Sequence, residues 1–207
     1  MMESEPKVFV VDDDEAMCEA LQCLLESEGF PVIAYDSAEA FLQGYQPGQP
    51  GCLVLDVRMR GMSGLDLQAK LAEQGLVIPI IITTGHGDVP LAVRAMRFGA
   101  ADFLEKPVND RVLIACIRKA LEHDAQIRRE LKQRSEIIAR IKSLTPRERE
   151  VMEQVLTGRA NKQIAAQLGI SEKTVEVHRK HVMHKMGMHS AIELVRTVLE
   201  TEIRPGT

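Results

Sequence analysis

The chain has 207 residues, 45% of them apolar and 27% charged, which allows a packed core and excludes a largely disordered chain. No apolar stretch approaches the ~20 residues of a membrane span, and Met1-Met2-Glu3-Ser4-Glu5 lacks the basic-then-apolar form of a signal peptide, so a cytoplasmic protein with no membrane partner is expected. The net charge of −4 is unevenly divided: residues 1–124 carry 20 acidic and 10 basic side chains, residues 125–142 carry 2 and 6, and residues 143–207 carry 8 and 10, the pattern of an acidic module joined to one that meets a polyanion.

In chain order, Val8-Phe9-Val10-Val11 is a first strand that runs into Asp12-Asp13-Asp14. Glu15 to Glu28 reads as an amphipathic helix on Met17, Leu21, Leu24 and Leu25, capped by Asp14 and stopped by Gly29. Val32 to Tyr35 is a second strand, and Asp36 with Glu39 predicts a capping box for a short helix. Leu53-Val54-Leu55 stops at Asp56, Ile80-Ile81-Ile82 stops at Thr83-Thr84, and Ala101 to Leu104 leads to Lys106-Pro107. Helices over Gly64 to Glu73, Val89 to Phe98 and from Asn109 onward separate these strands. Five strands alternating with five helices predict a doubly wound, five-stranded parallel sheet. The four cysteines, with no Cys-x-x-Cys pair, are expected to be buried reduced thiols.

Between Pro107 and Pro146 there is neither Gly nor Pro, so one long helix from Asn109 to about Lys142 is predicted. Positions 117, 120, 124, 127, 131, 134, 138 and 141 fall at alternating 3- and 4-residue steps, and six of them are apolar, which suggests a dimer seam interrupted by Asp124 and Arg134. Thr145-Pro146-Arg147-Glu148 then opens a further helix with cap, N1 proline and capping-box glutamate. Asn161 to Leu168, Ser171 to Met186 and Ser190 to Glu200 complete a small domain of four helices.

If the strands are parallel, Asp12, Asp13, Asp56, Thr84 and Lys106 share the carboxyl rim where open α/β sheets bind ligands. Clustered carboxylates raise one another's pKa unless a cation is present, and Mg²⁺ takes carboxylates while bridging phosphate oxygens. One carboxylate can then act as nucleophile toward phosphorus.

These residues, with Leu55-Asp56-Val57-Arg58-Met59, Gly61-Met62-Ser63-Gly64 and Thr84-Gly85, resemble the receiver domains of two-component response regulators in order and spacing, from Val8 to about His123. The resemblance implies a flavodoxin-like receiver with Asp56 as phosphoacceptor. It implies Mg²⁺ on Asp12, Asp13, Asp56 and the backbone carbonyl of Arg58, Thr84 and Lys106 at the phosphoryl group, Phe103 as an aromatic switch, and a cis Lys106–Pro107 bond. Where the family commonly has proline this chain has Arg60, read here as a solvated loop residue rather than one reaching the acidic rim. His86 and Arg58 are placed to tune dephosphorylation, and Thr83 is read as packed in its strand.

Asn161 to Ser171 followed by Lys173-Thr174-Val175 has helix-turn-helix form, with Ala165 allowing close approach and Gly169 making the turn. On a helical wheel Val182 and Met186 fall within ~20° of Val175 and face inward, which turns Lys173, Glu176, Val177, Lys180, His181 and His184 outward. Leu144 to about Leu199 resembles the effector domain of the NarL/FixJ (LuxR-type) class, on Leu144 to Val151, Asn161 to Ala165 and Thr174 to His178. That likeness implies base contacts from Glu176, Val177 and Lys180 and backbone contacts from Lys173 and Thr174. Lys162, Arg179 and Lys185 are candidate phosphate contacts, although Arg179 lies near the packed face. His178 and His181 lack a third ligand and are not read as a metal site.

The expected organisation is a receiver over residues 1–123, a helical linker over 124–142 and a DNA-binding domain over 143–207. The expected function is a non-enzymatic, phosphorylation-controlled transcription factor. Its partners would be a sensor histidine kinase, double-stranded DNA, a second copy when phosphorylated, and RNA polymerase. A Mg²⁺ phosphatase of the haloacid-dehalogenase type is a weaker reading, since Ala16 stands where that family has Thr or Val; a DNA binder with a vestigial receiver is opposed by the complete acidic set.

Overall fold

The computed structural model describes residues 5–85 and 89–203, and the chain forms two compact units that divide after Arg128. In the first unit the elements are β1 (Lys7–Val11), α1 (Glu15–Ser27), β2 (Val32–Tyr35), α2 (Ala38–Gly44), β3 (Gly51–Asp56), α3 (Gly64–Glu73), β4 (Ile80–Thr84), α4 (Val89–Arg97) and β5 (Asp102–Glu105). The strands pair in parallel in the order β2-β1-β3-β4-β5. That is the doubly wound sheet read from the sequence.

Each central strand is an unbroken apolar run because both faces of the sheet are covered. The two-residue period sorts the side chains. Phe9, Leu53, Leu55, Ile80, Ile82 and Phe103 pack on one face with residues of α2, α3 and α4. Val8, Val10, Cys52, Val54, Ile81 and Leu104 pack on the other with residues of α1 and the next helix, α5 (Asp110–Lys142).

Two local expectations are corrected. Ser37, not Asp36, caps α2: its Oγ accepts from Ala40 N, and Asp36 accepts from the Ser37 hydroxyl at 2.8 Å. Glu39 reaches instead to the Met62 amide at 3.2 Å and holds the loop after β3. All four cysteines are free, but Cys23 is exposed and Cys116 half-buried; Cys18 and Cys52 are buried as expected, and burial pushes the Cys52 thiol up to about 12.

α5 is continuous over the predicted range, opened by the Asn109 side chain, which accepts from the Arg111 and Val112 amides. Its heptad does not form a free seam. Ile117 and Ala120 are buried in the first unit. Asp124 is buried as well, accepting from Gly51 N at 3.0 Å and from Arg128 Nε at 2.6 Å, while the Arg128 guanidinium donates to the Gly48 and Gln49 carbonyls. Glycine is required at 51, because a Cβ there would lie 2.1 Å from the Lys7 carbonyl oxygen. Of the remaining apolar seam positions, Leu131 and Ile138 are exposed.

The second unit packs the end of α5 with α6 (Pro146–Leu156), α7 (Asn161–Leu168), α8 (Glu172–Met186) and α9 (Ala191–Ile203). Its core is Leu144, Val151, Val155, Ile164, Val175, Val182, Met186, Leu194 and Val198, with Ile137 and Ile141 of α5 against it. Thr145 and Glu148 form the expected capping box at α6. Gly169 closes α7 in the left-handed region (φ 64°), and the Ser171 hydroxyl caps α8 by accepting from Thr174 N at 3.1 Å. Among the described residues no helix is long and apolar enough to cross a membrane.

Candidate functional site

The site grows out of the ends of four strands. Hydrogen bonds in register set Asp56 beside Thr83 and Thr84 beside Glu105, and β1 ends next to Leu55. Asp12, Asp13, Asp56, Thr84 and Lys106 therefore meet at one rim. Asp14 turns away to cap α1, accepting from Ala16 N at 3.0 Å. Gly64 sits so close to β3 that a Cβ would come within 2.1 Å of the Asp56 carbonyl oxygen, and its amide donates to Val57 O; only glycine lets α3 begin directly beneath the rim.

Ligand atoms of Asp12, Asp13 and Asp56 lie within 4.8 Å of one another, and this is the one such cluster among the described residues. Lys106 Nζ bridges Asp12 Oδ2 and Asp56 Oδ1, both at 2.6 Å. Asp56 Oδ2 accepts from the Arg58 amide at 2.6 Å. Burial raises the Asp56 pKa above its usual value, against the pull of Lys106. Burial also works against the Lys106 ammonium, but its hydrogen bonds to the two carboxylates outweigh that and raise its pKa. Asp13 is held below its usual range, chiefly by the Arg60 amide.

Arg60 is solvated, as expected of a loop residue, with its side chain 90% exposed, but it also has a contact that the expectation left out. Its backbone N donates to Asp13 Oδ2 at 3.0 Å and its Nε at 3.2 Å, so it does reach the acidic rim. Thr83 is buried in β4 and Thr84 is fully buried at its end. Phe103 is half-buried against the face that also holds Leu91 and Ala95 of α4. The Lys106–Pro107 bond is cis. His86 lies outside the described residues.

The donor set fits Mg²⁺: hard carboxylate oxygens converge from two strand ends, and their three negative charges exceed the two positive charges of Lys106 and Arg60. Such an arrangement could hold a cation and offer a carboxylate oxygen to an electrophile.

In the second unit, α8 exposes Lys173, Glu176, Val177, Lys180, His181 and His184 along one side. Lys162 of α7 is exposed as well, Arg179 is half-buried, and the Thr174 hydroxyl lies 2.8 Å from Ser171 Oγ. Lys185 is different. Its Nζ donates to the buried Glu148 carboxylate at 2.6 Å, so this lysine, expected at the DNA backbone, is committed inside the domain. Sequence reasoning saw Glu148 as a cap and missed its partner on α8. It also read Asp124 as a flaw in a seam and missed its role as a buried acceptor.

Residues 8–118 match the response regulator receiver domain family, and residues 142–198 match the luxR family of bacterial regulatory proteins. The chain belongs to the NarL/FixJ class of response regulators. It is 51% identical to the transcriptional regulatory protein FixJ of Azorhizobium caulinodans over 99% of this chain and 97% of that one. It is 48% identical to the response regulator protein TmoT of Ectopseudomonas mendocina, over 95% and 89%. Among solved structures, the response regulator StyR superposes with a TM-score of 0.89 at 44% identity, covering 95% of this chain and 100% of that one. Full-length FixJ from B. japonicum gives 0.58 at 44% identity, covering 97% and 98%. The chain is thus a two-component response regulator and transcription regulator, and its relatives are regulators rather than enzymes. The receiver domain implies a sensor kinase partner, and the luxR-family domain implies DNA binding.

Proposed function

We propose that the protein takes a phosphoryl group on Asp56 from a sensor histidine kinase in the cytoplasm and reads it out as promoter binding. The carboxylate trio with Lys106 at the strand ends carries this reading. Asp12, Asp13, Asp56 and the Arg58 carbonyl would hold Mg²⁺, which would supply charge neutralisation for the phosphoryl oxygens. An Asp56 oxygen attacks phosphorus and the P–N bond to the donor histidine breaks. Lys106 leaves its pairing with Asp56 to meet the new dianion, and Thr84 donates to one of its oxygens. The receiver supplies only this self-directed phosphotransfer and the later dephosphorylation, tuned by Arg58 and His86. Phe103 then repacks beneath α4.

The face that changes is already apolar. Val89, Val93, Met96 and Phe98 are exposed, and Ala95 is the one buried residue of α4. A pair of such faces forms the phosphorylated homodimer and brings two α8 helices to half-sites. Glu176, Val177 and Lys180 read base edges, and Lys162, Lys173 and Thr174 hold the DNA backbone. Residues 1–123 act as the receiver, residues 124–142 are the helical linker, and residues 143–207 are the DNA-binding domain, which activates transcription through contact with RNA polymerase.

Incubation of the full chain with acetyl phosphate and Mg²⁺ is expected to give one labile phosphoryl adduct by intact mass and a doubled mass by light scattering. Asp56→Asn abolishes both, and Met96→Glu abolishes only the second. An adduct that persists in the Asn variant, or an unchanged scattering mass in the phosphorylated wild type, overturns the reading.

A further inference from the structure

Every carboxylate of the trio has a protein cation on it, but the two cations are held very differently. Lys106 is 18% exposed and bridges Asp12 and Asp56 symmetrically. Arg60 is 90% exposed and touches only Asp13, itself 24% exposed, through one guanidinium nitrogen. It stands on the loop that leaves Asp56, a place where the amide of the same residue already satisfies Asp13 Oδ2. The guanidinium is therefore not needed to complete a hydrogen-bond set. It adds positive charge at the outer side of an acidic pocket.

We propose that Arg60 is a built-in competitor for the divalent cation: it occupies Asp13 while the site is empty and must be displaced for the ion to enter. This rests on the reading of the trio as a Mg²⁺ site. The two positive groups cannot share one carboxylate face without repulsion, and Arg60 is the one that yields. An exposed, singly bonded pair is weak, worth about 0–1 kcal/mol, whereas Lys106 sits in a desolvated bridge. That weak pair sets the size of the effect, an apparent Kd for the ion raised about 2- to 5-fold. The amide of residue 60 stays on Asp13 in either state, so the carboxylate keeps its position while its charge is released.

The test is ion binding by the unphosphorylated full chain, read without any phosphotransfer. Free Mn²⁺ is followed by its electron paramagnetic resonance signal, and Mg²⁺ is titrated in as competitor. Arg60→Ala is expected to tighten Mg²⁺ about 2- to 5-fold at low ionic strength, with circular dichroism unchanged because the side chain is exposed. The ratio of wild type to variant should fall toward one near 1 M NaCl, where screening reaches within about 3 Å. Equal or weaker binding by Arg60→Ala, or a ratio indifferent to salt, overturns the competition. A wild type that binds neither ion overturns the metal reading itself, a separate result.

Discussion

Glu148 is the buried charge on which the DNA-binding unit depends, and its removal has a calculable cost. Its side chain is 5% exposed; it accepts from Lys185 Nζ at 2.6 Å and from Thr145 N at 2.8 Å, and His181 Nδ1 lies 3.7 Å away. The Lys185 ammonium, with the Thr145 amide, lowers its pKa from 4.5 to about 2. At about 1.4 kcal/mol per unit, that gap has an upper bound of roughly 3.5 kcal/mol of stability. Lys185 is 34% exposed, and solvent screening there brings the figure to about 2 kcal/mol. Because the folded pKa is depressed, the stabilisation is complete above 4.5 and is lost as pH falls through about 2. Glu148→Gln keeps the bond to the Thr145 amide and loses the charge, so it should destabilise this unit by about 2 kcal/mol at pH 7, a fall of roughly 10 °C in Tm for a unit of this size, and less at pH 3. The chain has no Trp, and Tyr35 and Tyr45 both lie in the first unit, so the assay is hydrogen exchange of α6 and α8 peptides. Lys185→Ala should weaken protection of the same peptides yet leave the salt dependence of operator binding unchanged. A phosphate-contacting lysine would instead lower that slope by about one. A lowered slope with intact protection refutes the assignment of Lys185 to the Glu148 pair.

Two further outcomes follow from the rim. Burial raises the Asp56 pKa, so in EDTA, with no divalent cation bound, its carboxyl should titrate above 3.8 when followed by carbon-13 NMR, and a midpoint below 3.8 counts against a buried carboxylate. Lys106→Met leaves Asp12 and Asp56 facing each other without a cation; breaking such a pair costs about 3–5 kcal/mol, reduced to about 2 by proton uptake on Asp56. Tyrosine-detected melting of the first unit in EDTA should show that loss, and Mg²⁺ should restore part of it.

Much of this architecture is legible because its signals are local. The unbroken apolar runs of β1, β3 and β4 mark a sheet covered on both faces, and the polar residue that ends each run marks the rim. The absence of Gly and Pro between 107 and 146 gives the length of α5. What stays hidden is the partner of a charge. Asp124 meets an amide 73 positions away, and Lys185 meets a carboxylate 37 positions away. A helical wheel reports burial and says nothing of what satisfies a buried polar group. Arg60 is the same case: periodicity is silent in a loop, so the reach of an exposed arginine to Asp13 depends on the path of residues 57–63, where Gly64 approaches Asp56 and Glu39 holds the Met62 amide.

The linker helix shows how a tertiary frame creates local structure. One end of α5 is fixed by Asp124 and Arg128 on the first unit. The other is fixed by Ile137 and Ile141 in the second core and by Arg140, which donates to the Met186 carbonyl at the end of α8. Between them Arg129–Glu136 contains no buried residue. Eight residues cannot sustain a helix alone, since nucleation is costly and isolated helices need roughly 12–15 residues. This stretch is helical because both flanks are nucleated by packing and it needs only to propagate. Replacing Leu131 and Gln133 by glycine costs about 1 kcal/mol each and should abolish exchange protection of 129–136 while leaving α1 and α6 unaffected. Protection that survives the double replacement would mean that propagation from the two ends does not set the order of this stretch.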